Sequence, residues 1–327
     1  MVGLLLVSMC LDFFICVEVN HQYTEPVMEL DYVYRSKASD MSPAVDVCWM
    51  SSESNQLLAV GFQSGLVEVI DVDNRELRSS HRMDKPVTGL CAVDDSLLLI
   101  QTKSDSLSLF NTEWKIQWSV STKTAVSFSR PAVAGGRIVC CVIAGQWTLG
   151  FVNIETGNLE SKIDLSLVVP SSSNPGSVVS IITRMSPCGE EDSFVVLVET
   201  GHLVEIAWDG KLYVFKRVLS IPFPEGSVIP TTLAMGTTGE VLVVGFSDGS
   251  VLRQETKTDR SFEKLFPSGV GAVEISGQKL ICGDWTGNVT LTDDQPHIAS
   301  IRSIVCRQHR VAIASTDGRV SLWFLNP

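Results

Sequence analysis

The sequence predicts an all-β chain: a β-propeller of seven four-stranded blades spanning residues 31–327, its ring closed by an N-terminal strand that pairs with the C-terminal blade. Three observations predict it. One hairpin pattern recurs seven times along the chain. The copies lie about 30 to 55 residues apart, a spacing that suits four-stranded blades of roughly 40–45 residues. The last copy also ends the chain one strand short, while a spare strand-like segment precedes the first.

The hairpins, in order, are "LLAVGFQSGLVEVIDV" from Leu57, "LLLIQTKSDSLSLFNT" from Leu97, "VCCVIAGQWTLGFVNI" from Val139 and "VVLVETGHLVEIAWDG" from Val195. They continue with "VLVVGFSDGSVLRQET" from Val241, "KLICGDWTGNVTLTDD" from Lys279 and "VAIASTDGRVSLWFLN" from Val311. Each joins an apolar strand, through a short turn, to a strand that alternates apolar and polar residues. Alternation at period two marks a half-buried strand, and a turn glycine supplies the positive φ that a tight hairpin needs. Gly65, Ser106, Gln146, Gly201, Gly249, Gly287 and Gly318 mark the turns. Between the first two hairpins, "ELRSSHRM" fits an outer strand and "VTGLCAVD" the next inner strand. No sustained i, i+3, i+4 apolar pattern separates the hairpins, so a helical repeat is disfavoured. The first inner strand is expected at Pro43–Met50 and the last near "SIRSIVCR", which leaves the final blade without an outer strand. "LDYVYRSK" has the length and alternation to fill that place. Asp31–Arg35 is therefore expected beside Val320–Leu325, which removes an open edge and ties the chain ends together.

The 327 residues are 45% hydrophobic with a mean hydropathy of +0.22, enough apolar content for a large core. A formal charge of −12 repels phosphate backbones and argues against a broad nucleic-acid surface. The nine cysteines include no Cys-x-x-Cys pair and lie mostly in apolar runs, which reads as buried thiols in a reducing compartment. "VGLLLVSMCL" imitates a signal-peptide core, but no Lys or Arg precedes Arg35, and Asp12 and Glu18 interrupt the stretch. It is also shorter than the ~20 apolar residues that span a bilayer. Residues 1–30 are thus an apolar extension of uncertain status, and no membrane association is expected.

Several apparent catalytic motifs fail on context. "GFSDG" at Gly245–Gly249 matches Gly-x-Ser-x-Gly, but a nucleophile elbow needs a strand-to-helix turn, and "SVLRQETK" alternates like a strand. "GVGAVE" at Gly269 lacks the third glycine and the helix of a dinucleotide site. The histidines, His21, His81, His202, His297 and His309, fall in turns and segment ends without metal-ligand spacing. Carboxylates such as Asp293–Asp294 read as solvated loop charges, so neither catalysis nor a cofactor is expected. Trp323 is expected to pack between blades. Trp147 and Trp285 instead flank turns that open on one rim, where an aromatic can anchor a partner.

The seven hairpins resemble the WD40 family, with "VIDV", "LFNT", "FVNI" and "LWFLN" in place of its Trp-Asp dipeptide. Its Gly-His pair is largely absent, so hydrophobic packing is expected to replace much of the family's His–Ser/Thr–Asp–Trp hydrogen-bond tetrad. From about Tyr32 onward, "YVYRSKASDMSPAVDVCWM", "GFQSGLVEVIDV", "TAVSFSRPAV" and "DGRVSLWFLNP" are similar to a narrower family. That family contains the guanine nucleotide-binding protein subunit beta-like proteins and the fungal ASTRA-associated protein. The resemblance implies a cytoplasmic and nuclear co-chaperone or adaptor that works with the TTT complex to mature phosphatidylinositol-kinase-related kinases. It would act as a monomer within larger assemblies. A ubiquitin-ligase substrate receptor and, more remotely, a propeller-hosted hydrolase are the alternatives. On either adaptor reading partners dock on the rim, and the candidate residues are Gln63, Asp105, Trp147, His202, Asp248, Trp285 and Asp317.

Overall fold

Where the sequence alternates at period two, the chain forms antiparallel ladders, with almost no helix beside them. The computed structural model describes residues 28–37, 41–50, 56–103, 106–122, 124–125, 129–169, 176–184, 193–223, 228–236, 241–255, 259–292, 295 and 297–326. Blade I comprises Ala44–Met50, Leu57–Phe62, Leu66–Asp71 and Glu76–Arg82, from the channel outward. Blade II comprises Val87–Ala92, Leu97–Thr102, Ser106–Asn111 and Ile116–Ser121. In blade III the inner position is split between Thr124–Ala125, parallel to Ile138–Gly145, and Ala132–Ala134, antiparallel to it; Thr148–Asn153 and Leu159–Asp164 follow. Blade IV is Val178–Arg184, Ser193–Val198, His202–Trp208 and Tyr213–Ser220, and blade V is Pro230–Met235, Leu242–Phe246, Ser250–Gln254 and Arg260–Lys264.

Blade VI is built from both ends of the described chain. Ile301–Arg307, Arg310–Ser315 and Arg319–Leu325 are completed by Met28–Arg35, which runs antiparallel to the last strand from Met28↔Leu325 to Arg35↔Arg319. The closing strand is the one expected from the sequence and reaches back to Met28, so the boundary drawn at residue 31 falls inside it. Its ladder slips between Leu30 and Tyr32, and Asp31 there meets Arg75 of blade I at 2.6 Å.

The expectation of seven blades is wrong: six sheets of four or five strands form the blades. Between blades V and VI the described residues of the ring form a two-stranded sheet, Val270–Ser276 with Lys279–Asp284. The reason is chain length. Gly287 to Gly318 is the shortest turn-to-turn interval, and Val289–Ser300 would have to supply two strands and a connection. It makes one isolated bridge, Gly283↔Val289, before Leu291 turns left-handed at φ 66° and the strand stops. The Met28 N–H then donates to the Leu291 carbonyl at 3.0 Å. Buried Met28 packs with Ala272, Ile281, Val289 and Trp323, so the closing strand also covers the short sheet.

The core lies between neighbouring sheets. Leu58, Val60 and Phe62 of blade I meet Ala312, Ala314 and Leu322 of blade VI, and Phe151 of blade III stacks on Tyr213 of blade IV at 4.9 Å. The six described cysteines are free thiols; four are buried, and burial pushes Cys141 and Cys282 up to about 12. No helix among the described residues is long and apolar enough to cross a membrane.

Candidate functional site

The inner strands antiparallel to their second strands all start at one end of the channel, which defines an upper face. The turns between second and third strands open on that same face. Gln63, Trp147, His202, Asp248, Trp285 and Asp317 all lie there; Asp105 lies outside the described residues. They share a face but do not form one constellation.

The Asp317 side chain is almost wholly buried and closes a relay inside blade VI. Trp323 Nε1 donates to Ser321 Oγ at 2.7 Å, Ser321 lies 2.8 Å from His297 Nε2, and His297 Nδ1 lies 3.3 Å from Asp317 Oδ2. One edge of the imidazole thus faces the Asp317 carboxylate and the other the Ser321 hydroxyl, which also accepts from Trp323. Burial pushes the Asp317 carboxyl up, but the His297 bond and the Arg319 and Ile298 N–H groups outweigh it, and the net direction is down. This blade therefore keeps the hydrogen-bond set that the missing Gly-His pair argued against, with Pro296-His297 in its place.

Asp248 caps its own turn, accepting from Ser250 N at 2.9 Å, and faces Lys264 Nζ at 3.5 Å. His202 pairs with Thr200 Oγ1 at 3.0 Å, and burial lowers its pKa. Trp147 is half-buried against the core of blades III and IV. Ser247, the serine of the apparent nucleophile elbow, sits in a hairpin turn and accepts from Ile229 N at 3.1 Å. Of the rim residues expected from the sequence, Gln63 and Trp285 present exposed side chains.

Trp285 is held rigidly. Buried Asp284 accepts from Thr286 N, Asn288 N and Ser268 Oγ at 2.8–2.9 Å and fixes the turn that carries the indole. The ring lies on the backbone of Gly269 and Gly271, where an added Cβ would meet it at 2.7 and 3.3 Å. The "GVG" stretch is thus a cradle for an aromatic ring. With its lower side so supported, the indole remains 43% exposed.

Trp285 borders a cavity of 350 Å³ at the channel mouth, which also includes Arg130, Arg302, Asp46 and Thr231. Asp46 accepts from Val47 N and Leu90 N at 2.9 and 2.7 Å and faces Arg130 Nη1 at 3.4 Å. Arg302 is exposed and makes no ion pair among the described residues. Deeper in the channel, burial raises Glu274 to about 7 against the opposing pull of Arg130. No histidine lines this cavity, and among the described residues no three potential ligands converge on a metal position.

Around the mouth the upper face exposes Met41, Leu167, Phe223, Ile229, Trp285 and Ile298. At the opposite end of the blades Leu212 is exposed in a turn, and Leu77, Ile116, Trp208 and Phe324 are exposed near strand ends. Sequence reasoning found Trp285 and missed the others, because a lone Met or Ile in a connection carries no periodic signal. It also missed Arg130 and Arg302, whose positions follow from which face of an inner strand lines the channel. No protein-family model matches the chain, and no curated protein matches it.

Proposed function

We propose that this chain is a non-catalytic scaffold that docks another protein on its upper face. A β-propeller fold is compatible with such a role. The observation that carries it is the set of exposed apolar side chains round the channel mouth, with Trp285 preorganised at its rim. Exposed apolar side chains on one face can anchor a partner, and a rigid aromatic loses little entropy on binding. Asp46 beside the channel speaks for structure rather than chemistry, since it is occupied by two main-chain donors.

The finer reading is a co-chaperone-type adaptor that works with the TTT complex on phosphatidylinositol-kinase-related kinases, in cytoplasm and nucleus. It rests on the sequence resemblance alone. The test is affinity purification with mass spectrometry on the wild type, on Ile229→Ser/Trp285→Ser/Ile298→Ser, and on Leu212→Ser as a lower-face control. Kinase-maturation factors should be recovered by the wild type and the control and lost by the triple variant, with thermal melting of all three alike. Recovery of ubiquitin-ligase subunits without those factors overturns the finer reading. Partners that survive the triple variant overturn the docking face.

A further inference from the structure

The cavity at the channel mouth holds more hydrogen-bond donors than acceptors to receive them. Its two carboxylates are served by the main chain: Asp46 accepts from Val47 N and Leu90 N, and Glu199 accepts from Ser177 N at 2.9 Å. Its two guanidinium groups are not so served. Arg130, beside the split inner position of blade III, touches blades I and VI through a single nitrogen. Its Nη1 lies 3.4 Å from Asp46 Oδ1 and 3.5 Å from Ser303 Oγ. Both contacts are longer than the ~2.7–2.9 Å of a tight charge-assisted bond. Nε and Nη2 of Arg130 make no hydrogen bond among the described residues, and the side chain stays 39% exposed, so a guest can reach it.

Arg302, in the inner strand of blade VI, is exposed on the same cavity and has no ion pair among the described residues. In a chain of net charge −12, two under-used arginines on one cavity are a local exception. A guanidinium matches a carboxylate or a phosphate through two parallel N–H donors. Asp46 and Glu199 separate the two: beside carboxylates a doubly charged phosphate is repelled more than a singly charged group.

The surrounding surface indicates the carrier. Met41, Leu167, Phe223, Trp285 and Ile298 are exposed on different sides of the mouth. A partner that covers them crosses the channel, so the residue over the cavity is an internal one with chain on both sides. Ile229 and Trp285 are exposed and also line the cavity, where they can meet the methylenes of a long acidic side chain.

We propose that the channel mouth receives a glutamate side chain from a loop of the docked partner, its carboxylate held by Arg302 with Arg130 as the second donor. The test uses the full chain with ¹⁵N-labelled indoles. The probe is N-acetyl-glutamate N-methylamide, a glutamate with a peptide bond on either side. The Trp285 cross-peak, assigned by its absence from Trp285→Phe, should shift saturably with this probe and not with uncharged N-acetyl-glutamine N-methylamide. Arg302→Gln removes one guanidinium without breaking an ion pair and should weaken binding about tenfold. Arg302→Lys keeps the charge but loses the paired donors and should fall between the two. Equal response to the glutamine probe or to acetate, or full binding by Arg302→Gln, overturns the proposal. Tighter binding of N-acetyl-phosphoserine N-methylamide overturns it in favour of a phosphorylated partner, and tighter binding of N-acetyl-leucine in favour of a chain end. The proposal rests on the upper-face reading, yet the two fail separately. Partners lost by the triple variant but kept by Arg302→Gln overturn the glutamate alone, whereas partners that survive the triple variant overturn the face.

Discussion

Asp317 occupies a turn that a partner could reach, yet its carboxylate is bound to His297, twenty residues earlier in the chain. Nothing local in "STDGRV" announces that bond, which is why the residue reads as rim from sequence and as core in the fold. Glu274 is the converse case. Its place in the alternating run "VGAVEIS" was legible, but which alternate residues face the channel depends on how the sheets close on one another. Burial raises Glu274 from 4.5 to about 7. The folded chain therefore binds this proton more tightly than the unfolded chain does. The stabilisation is full below about pH 4.5 and is lost as pH rises through 7. Glu274→Gln removes the titration and should be more stable than wild type at pH 8 by roughly 1–3 kcal/mol, the channel's wetness setting the lower figure. Urea unfolding at pH 5 and pH 8 measures this. An unchanged pH slope in the variant would show that Glu274 is hydrated in the folded state.

Among the elements, the closing strand is the most informative, because it bonds to two blades. Along Arg319–Leu325 it supplies the outer ladder of blade VI. Toward blade I, Tyr34 Oη and Ser36 Oγ donate to the two oxygens of buried Glu68 at 2.8 and 2.9 Å, and Arg75 lies over the Tyr32 ring at 5.0 Å. Removing the chain through Lys37 strips backbone partners at about 1 kcal/mol each and leaves the Glu68 carboxylate without its two hydroxyl donors. The expected outcome is a loss of cooperative melting, or a fall in Tm above about 10 °C, reversed by adding the peptide Met28–Lys37 in trans. A truncated chain that melts like the full one would show that the strand is peripheral. This element was legible because a strand count leaves one place empty and one segment spare. The short sheet was not. "KLICGDWTGNVTLTDD" carries the same local pattern as its six relatives, and the pattern does not report whether chain remains for two further strands. The left-handed turn at Leu291 has no sequence signal either, since leucine rarely adopts it.

At the scale of the molecule, a ring distributes stability unevenly when one of its sectors is incomplete. Six blades each present four or more strands to their neighbours, while Val270–Ser276 and Lys279–Asp284 have beyond them one bridge, a buried methionine and the loop after Leu291. Local opening begins where the fewest apolar contacts and ladder bonds must break, so this sector should exchange its amides first. Its upper end holds Trp285 over Gly269 and Gly271, so the exposed indole of the rim stands on the least buttressed part of the ring. The same sector rests on Met28, which couples it to the closing strand. Met28→Ala removes a fully buried side chain and should cost about 2–4 kcal/mol. In hydrogen–deuterium exchange, Val270–Asp284 should become unprotected first in the wild type. Met28→Ala should accelerate that segment by a factor of ten or more while leaving Val139–Val152 of blade III, across the ring, unchanged. Uniform acceleration of both segments would mean that the ring opens only as a whole, and that the two-stranded sheet is supported as firmly as the complete blades.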